Sequence, residues 1–129
     1  MNVDSDRDTF GDPTGRSSTQ VPFGALLAGD EVDIETEGGS HYRFVLAGAG
    51  STGPCGLLVR DPGPSHWTAT AIGTLDPDTG WLELGTFVLG RRMLFAVSRA
   101  HAESDGGFER LLTSRVIRLW HRTSVEIHP

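Results

Sequence analysis

Glu31-Val32-Asp33-Ile34-Glu35-Thr36-Glu37-Gly38-Gly39-Ser40-His41-Tyr42-Arg43-Phe44-Val45-Leu46 decides the architecture. Val32, Ile34 and Thr36 alternate with Asp33, Glu35 and Glu37, the period of a strand with one wet face. Glu37 to Ser40 supplies two turn glycines, and Tyr42, Phe44 and Leu46 then resume the alternation. A β-hairpin follows from that order of periods and turn residues.

Strand signals continue downstream of the hairpin. A glycine-rich loop, Gly48 to Pro54, leads to a short run, Cys55 to Arg60, closed by Asp61-Pro62-Gly63-Pro64. His66 to Ile72 reads as a strand, Asp76-Pro77-Asp78-Thr79-Gly80 as a turn, and Trp81 to Leu84 as the other arm. Gly85 and Gly90 mark bends or bulges before the strand Arg92 to Arg99. Ala100 to Gly107 is a polar loop, and Phe108 to Arg122 a long last strand. In that strand Leu111 and Leu112 are adjacent, so the alternation requires a bulge near Thr113-Ser114. Only residues 23–28 and 108–112 have room for short helical turns.

Spacing of this kind predicts a small antiparallel β-barrel or compact sandwich of about seven strands. Residues 1–20 are expected to be a disordered acidic tail, poor in apolar side chains to offset the entropy of ordering. The folded domain spans 21–124, and 125–129 are a C-terminal tail. The expected core is Val32, Ile34, Tyr42, Phe44, Leu46, Leu57, Val59, Leu82, Leu84, Met93, Phe95, Val97, Ile117 and Leu119.

Composition narrows the function classes. The 129 residues contain one cysteine, so no intrachain disulfide forms. The acidic start has no apolar stretch behind it, and no apolar run is long enough to span a bilayer. A reducing cytoplasmic location, away from membranes, is the expectation. The net charge is -6, and all eleven basic side chains are arginine. Acids dominate residues 21–90, where nine face only Arg43 and Arg60, whereas residues 91–129 carry seven arginines against four acids. An acidic chain is repelled by nucleic acid overall, although a local basic strip still attracts it.

Motifs with chemical meaning fail on context. Gly48-Ala49-Gly50-Ser51-Thr52-Gly53 has dinucleotide-loop spacing, but Pro54 and Cys55 follow where a phosphate-binding helix would have to begin. Asp76-Pro77-Asp78-Thr79-Gly80 resembles the start of a calcium loop, but Trp81 and Phe87 stand where that loop needs its glycine and its bidentate glutamate. His41, His66, His101, His121 and His128 have no metal-ligand spacing with one another or with Cys55. No cofactor or metal is expected.

One strip remains. With Ile117 and Leu119 inward, Arg118, Trp120 and Arg122 face outward with Val116, near Arg115, setting an indole between guanidiniums. Such a strip suits an anion, a phosphate backbone or an acidic surface. In the competing arrangement the ring packs over the end of the sheet and the arginines pair with the strand acids.

The order Gly29 to Thr36, Tyr42, Gly73, Gly85 and Gly90 before Met93-Leu94-Phe95, and Thr113-Ser114-Arg115-Val116 resembles a group of short uncharacterised bacterial β-proteins. That pattern, Gly-x-x-Val-x-Ile-Glu-Thr followed by a terminal Thr-Ser-x-Val strand, implies a β-fold and brings no activity. The Gly29/Val32/Ile34 hairpin also looks like the first half of an Sm-type RNA-binding barrel, without its second motif.

The leading functional expectation is a non-enzymatic module that binds another protein or a copy of itself, because edge strands invite pairing and no catalytic signature stands out. The alternatives are polyanion binding through Arg115, Arg118, Trp120 and Arg122, and an enzyme assembled in space around His66, His121 or Cys55.

Overall fold

A computed structural model describes residues 15–49, 53–61, 65–98 and 109–123. Ten strands appear among them: β1 (Gly15–Ser17), β2 (Gln20–Pro22), β3 (Glu31–Thr36), β4 (His41–Ala49), β5 (Pro54–Asp61), β6 (Ser65–Leu75), β7 (Leu82–Leu84), β8 (Thr86–Val88), β9 (Arg92–Ser98) and β10 (Glu109–Arg122). A single 3-10 turn, Phe23–Ala25, falls in the first segment expected to hold a helical turn, whereas residues 109–112 belong to β10. No helix among the described residues is long and apolar enough to cross a membrane.

The chain is all-β and antiparallel, and its pairings close on themselves. β10 pairs with β3, β3 with β4, β4 with β5, β5 with β6, β6 with β9, and β9 with β10 again. Two strands make the closure possible by serving two neighbours along one edge. β6 carries β9 on one edge and β5 followed by β7 on the other. β10 carries β3 on one edge and β9 followed by β1 on the other. β2 and β8 form a separate two-stranded ribbon.

The interior follows from alternation. Val32, Ile34, Tyr42, Phe44, Leu46, Met93, Phe95, Val97 and Leu119 are buried in one cluster, as the sequence pattern predicts. Phe44, Phe87 and Phe95 pack ring against ring, with Phe44 5.5 Å from Phe95 and Phe87 5.7 Å from Phe95. Phe87 also meets Phe23 edge-on at 5.0 Å, which ties the 3-10 turn to the interior. Burying a ring or branched side chain of this size contributes about 1.5–3 kcal/mol each.

Four residues expected inside lie outside, and Val59 is only half-buried. On β5 the phase is the reverse of the expected one: Leu58 is fully buried and Leu57 faces out. Gly56 shares the inward phase, and a Cβ there would lie 1.9 Å from the Val45 carbonyl oxygen, so only glycine fits this close approach of β4 and β5. Leu82 and Leu84 are exposed on β7, and Phe87 takes the interior place after Gly85, at φ 86°, turns the chain. Ile117 is exposed because β10 has two irregularities, not one. The first lies between Leu112 and Arg115, where the Thr113 hydroxyl accepts the Met93 N–H at 3.0 Å. The second, between Val116 and Arg118, sends Ile117 outward and leaves Thr113, Val116 and Leu119 pointing in at a spacing of three.

Residues 15–20, within the stretch read as tail, contribute β1 and the first residue of β2. The rest of that stretch, the polar loop after Ser98 and the C-terminal tail lie outside the described residues.

Candidate functional site

Arg118, Trp120 and Arg122 share the outer phase of β10, with Arg115 nearby on the same strand. The second irregularity in β10 preserves the outward phase of Arg118 and Trp120, and the Arg118 guanidinium stands over the indole at 5.9 Å from its centre. Every arginine of the strip also lies beside a carboxylate. Arg115 has Glu37 at 3.8 Å and Asp78 at 3.9 Å, and Arg118 has Glu35 at 3.6 Å. Arg122 donates to Glu31 and Asp33, both at 2.9 Å.

Apart from Asp78, the acids come from the hairpin, whose polar face pairs with β10 in register: Arg118 with Glu35, Trp120 with Asp33 and Arg122 with Glu31. Arg43 closes the group from β4, with its Nε donating to Asp33 at 3.0 Å and lying 3.5 Å from Glu31. Partial burial works against the charge of Arg43, but the hydrogen bond and charge of Asp33, with Glu31 and Asp61, outweigh it and hold its pKa above the ordinary value. Two guanidiniums and two carboxylates thus make one neutral network across three strands. Trp120 is half-buried beside it.

The residues considered for an assembled catalytic centre occupy different settings. His66 is exposed at the start of β6, and the Cys55 thiol approaches the Gly48 carbonyl oxygen at 3.6 Å on β5. His121 reaches the buried Asp30, Nε2 to Oδ2 at 3.0 Å. That same Oδ2 accepts the Leu27 N–H at 3.0 Å, so the carboxylate ties the turn before β3 to the end of β10. Among the described residues no cluster of three His, Cys, Asp or Glu side chains is placed to hold a metal ion.

A different surface comes from residues that pattern reading assigned to the core. β7 ends the path of strand pairing, and it is three residues long. Trp81 just before it is 74% exposed, Leu82 47% and Leu84 65%. Glu83, on the opposite phase, is held by Arg91 at 2.7 Å. The strand is positioned by the Asp76–Gly80 turn, where the Asp76 carboxylate accepts the Asp78 N–H at 2.9 Å and the Thr79 hydroxyl accepts the Trp81 N–H at 3.2 Å. The Asp78 N–H bond, helped by further bonds from Thr79, keeps the Asp76 pKa below the ordinary aspartate value.

β7 and β5 share one edge of β6 and lie end to end, Leu84 opposite Gly73 and Cys55 opposite Thr70. At that junction Phe23 donates its N–H to the Gly85 carbonyl. Beside it opens an apolar cavity of about 430 Å³, with Phe23, Leu27, Leu46, Ala49 and Pro54 in its wall. Leu27 is 57% exposed at this rim. An exposed Trp-Leu-x-Leu run bracketed by Gly80 and Gly85 is the sequence signal that marks this edge.

Comparison with protein-family models, with proteins of described function and with solved structures found no match to the chain. The functional reading therefore rests on the geometry of these two surfaces.

Proposed function

We propose that the chain is a non-enzymatic protein-interaction module and that β7 is its contact edge. The observation that carries this reading is the exposure of Leu82 and Leu84 on a terminal strand and of Trp81 just before it. An edge that pairs with no strand among the described residues offers backbone donors and acceptors to a partner strand, and exposed aromatic and leucine side chains supply the apolar contact that anchors an interface. The lone cysteine, Cys55, accords with work in the reducing cytoplasm.

Polyanion binding through Arg115, Arg118, Trp120 and Arg122 draws less support, because each of those guanidiniums already faces a carboxylate. Those carboxylates compete with a phosphate for the same guanidinium donors, most closely at Arg122. An assembled enzyme around His66, His121 or Cys55 draws less still, since His121 serves a turn and His66 is exposed.

The test pairs light scattering with capture from an extract of the source cells, using the native chain and a Trp81→Ser/Leu84→Ser variant. Self-association or a captured partner that the variant loses supports the module. Identical behaviour of the two chains overturns it.

A further inference from the structure

We infer that the end of the strand circuit remote from the apolar cavity binds a small monocarboxylate, held side-on by Arg60; this is independent of the contact edge at β7. The cavity lies where β4 ends and β5 begins, whereas Arg60 lies where β5 ends and β4 begins. Strand register puts its side chain on the interior phase. Along β5 that phase runs Gly56, Leu58, Arg60, and Arg60 lies across from Tyr42 on β4 and Ser65 on β6. Tyr42 belongs to the buried cluster with Phe44 and Leu46. Trp67, buried opposite Leu58, brings an indole to the same end.

Arg60 differs from the arginines already described. Arg43, Arg91, Arg115, Arg118 and Arg122 each stand beside a carboxylate, and Arg92 donates its Nε–H to the Thr113 carbonyl oxygen at 2.8 Å. Arg60 is half-buried, and its buried Nε–H meets no acceptor among the described residues. Arg122 shares the buried Nε, but its guanidinium is already committed to Glu31 and Asp33. Nearby acids face elsewhere. Asp61 has the opposite phase, across from His41, and acts on Arg43. Glu109, opposite Val97, is exposed and has β6 and β9 between its strand and that of Arg60.

A buried donor on a charged group is costly without an acceptor. The Nε–H and the adjacent Nη–H form a planar fork that matches the two oxygens of a carboxylate. One guanidinium balances one negative charge, so a monoanion suits this site better than a doubly charged phosphate on a chain of net charge -6. Phe44 and Leu58 fill the interior beneath, which limits the ligand to a short body lying against the Tyr42 and Trp67 rings.

The experiment follows the Arg60 Nε–H and Trp67 indole N–H signals of the intact, isotope-labelled chain by NMR, with sodium benzoate as the probe. Neutral benzamide, sodium phosphate, and sodium chloride at equal ionic strength are the comparisons. Benzoate is expected to shift both signals saturably, with half-saturation below about 10 mM, while benzamide and chloride leave them in place. Read at Trp67, Arg60→Gln should weaken benzoate at least about tenfold. Arg60→Lys, which keeps the charge without the fork, should weaken it at least about threefold. Arg110→Gln, at an exposed arginine, should bind as the native chain does. Signals unmoved at about 50 mM benzoate, or moved equally by chloride, overturn the inference. Phosphate held as tightly as benzoate overturns the carboxylate assignment. The native-chain titration decides the matter even where Arg60→Gln fails to fold.

Discussion

Asp33 sits on the outer phase of β3 and is nevertheless 1% exposed, because the Arg122 side chain lies across it from β10, Nη2 to Oδ2 at 2.9 Å. Arg43 holds its other oxygen from β4. A buried carboxylate is tolerable only while such donors remain.

Arg122→Met removes one of these donors and leaves Glu31 with Arg43 alone, at 3.5 Å. The expected loss of stability is about 1–3 kcal/mol in a denaturant titration, since Arg43 still serves Asp33. Combining it with Asp33→Leu should recover part of that loss, because the unsatisfied charge goes too. A single variant as stable as the native chain would show the network to be idle.

Phe44→Ala should cost about 3–5 kcal/mol, because the ring is fully buried against Phe95 and Phe87. Leu57→Ala, on the outer phase of the next strand, should cost less than about 1 kcal/mol. Equal losses in urea titrations would mean that the phase of β5 is misplaced.

Gly56→Ala forces a Cβ against the Val45 carbonyl and should destabilise by about 2–3 kcal/mol or abolish soluble expression. Gly24→Ala meets nothing within 4 Å and should be nearly neutral. Thermal unfolding of the two variants side by side makes the comparison.

Asp76 titrates below the ordinary aspartate value because its ionised form accepts the Asp78 N–H. The sign follows directly: a carboxylate with a depressed folded pKa stabilises above the unfolded pKa, and that contribution disappears as pH falls through the folded one. Carboxyl NMR should place its midpoint below those of other exposed aspartates. Asp76→Ala should remove the acid-sensitive ordering of the Asp76–Gly80 turn, read as faster amide exchange at Asp78. A midpoint at the ordinary value would deny the turn its anchor.

Much of the fold was legible because the alternation in β3 is strict, and in β4 and β9 the aromatic side chains fall on one phase while charged ones open the other. Ile34, Phe44 and Phe95 fall where that period puts them. β5 was illegible for a physical reason. In Cys55-Gly56-Leu57-Leu58-Val59 both phases are uncharged, and the inward one is marked by a glycine that a neighbouring carbonyl requires. β7 misled pattern reading in the opposite sense, since Leu82 and Leu84 have a core-like period on a strand that ends the path of pairing among the described residues. In β10 the first bulge was readable from Leu111-Leu112, but the second has no such doublet, and Ile117 was assigned inward. Arg118, Trp120 and Arg122 share one phase of β10, as the alternation predicts. The competing arrangement, in which the arginines pair with the strand acids, is the one found: Arg118 with Glu35 and Arg122 with Glu31 and Asp33. Which carboxylate meets which guanidinium was not readable, because the hairpin is far away in sequence.

Circuit closure has a consequence for how the molecule is born. Ile34 acquires its neighbour Leu119 only after nearly all of the intervening chain has been made, so the first hairpin must wait with one border bare. Long-range pairing of this sort is slow, on the order of milliseconds to seconds. During that wait the charged flank of the hairpin, Glu31 to Glu37, has a second use: it keeps the waiting border from seizing a stranger.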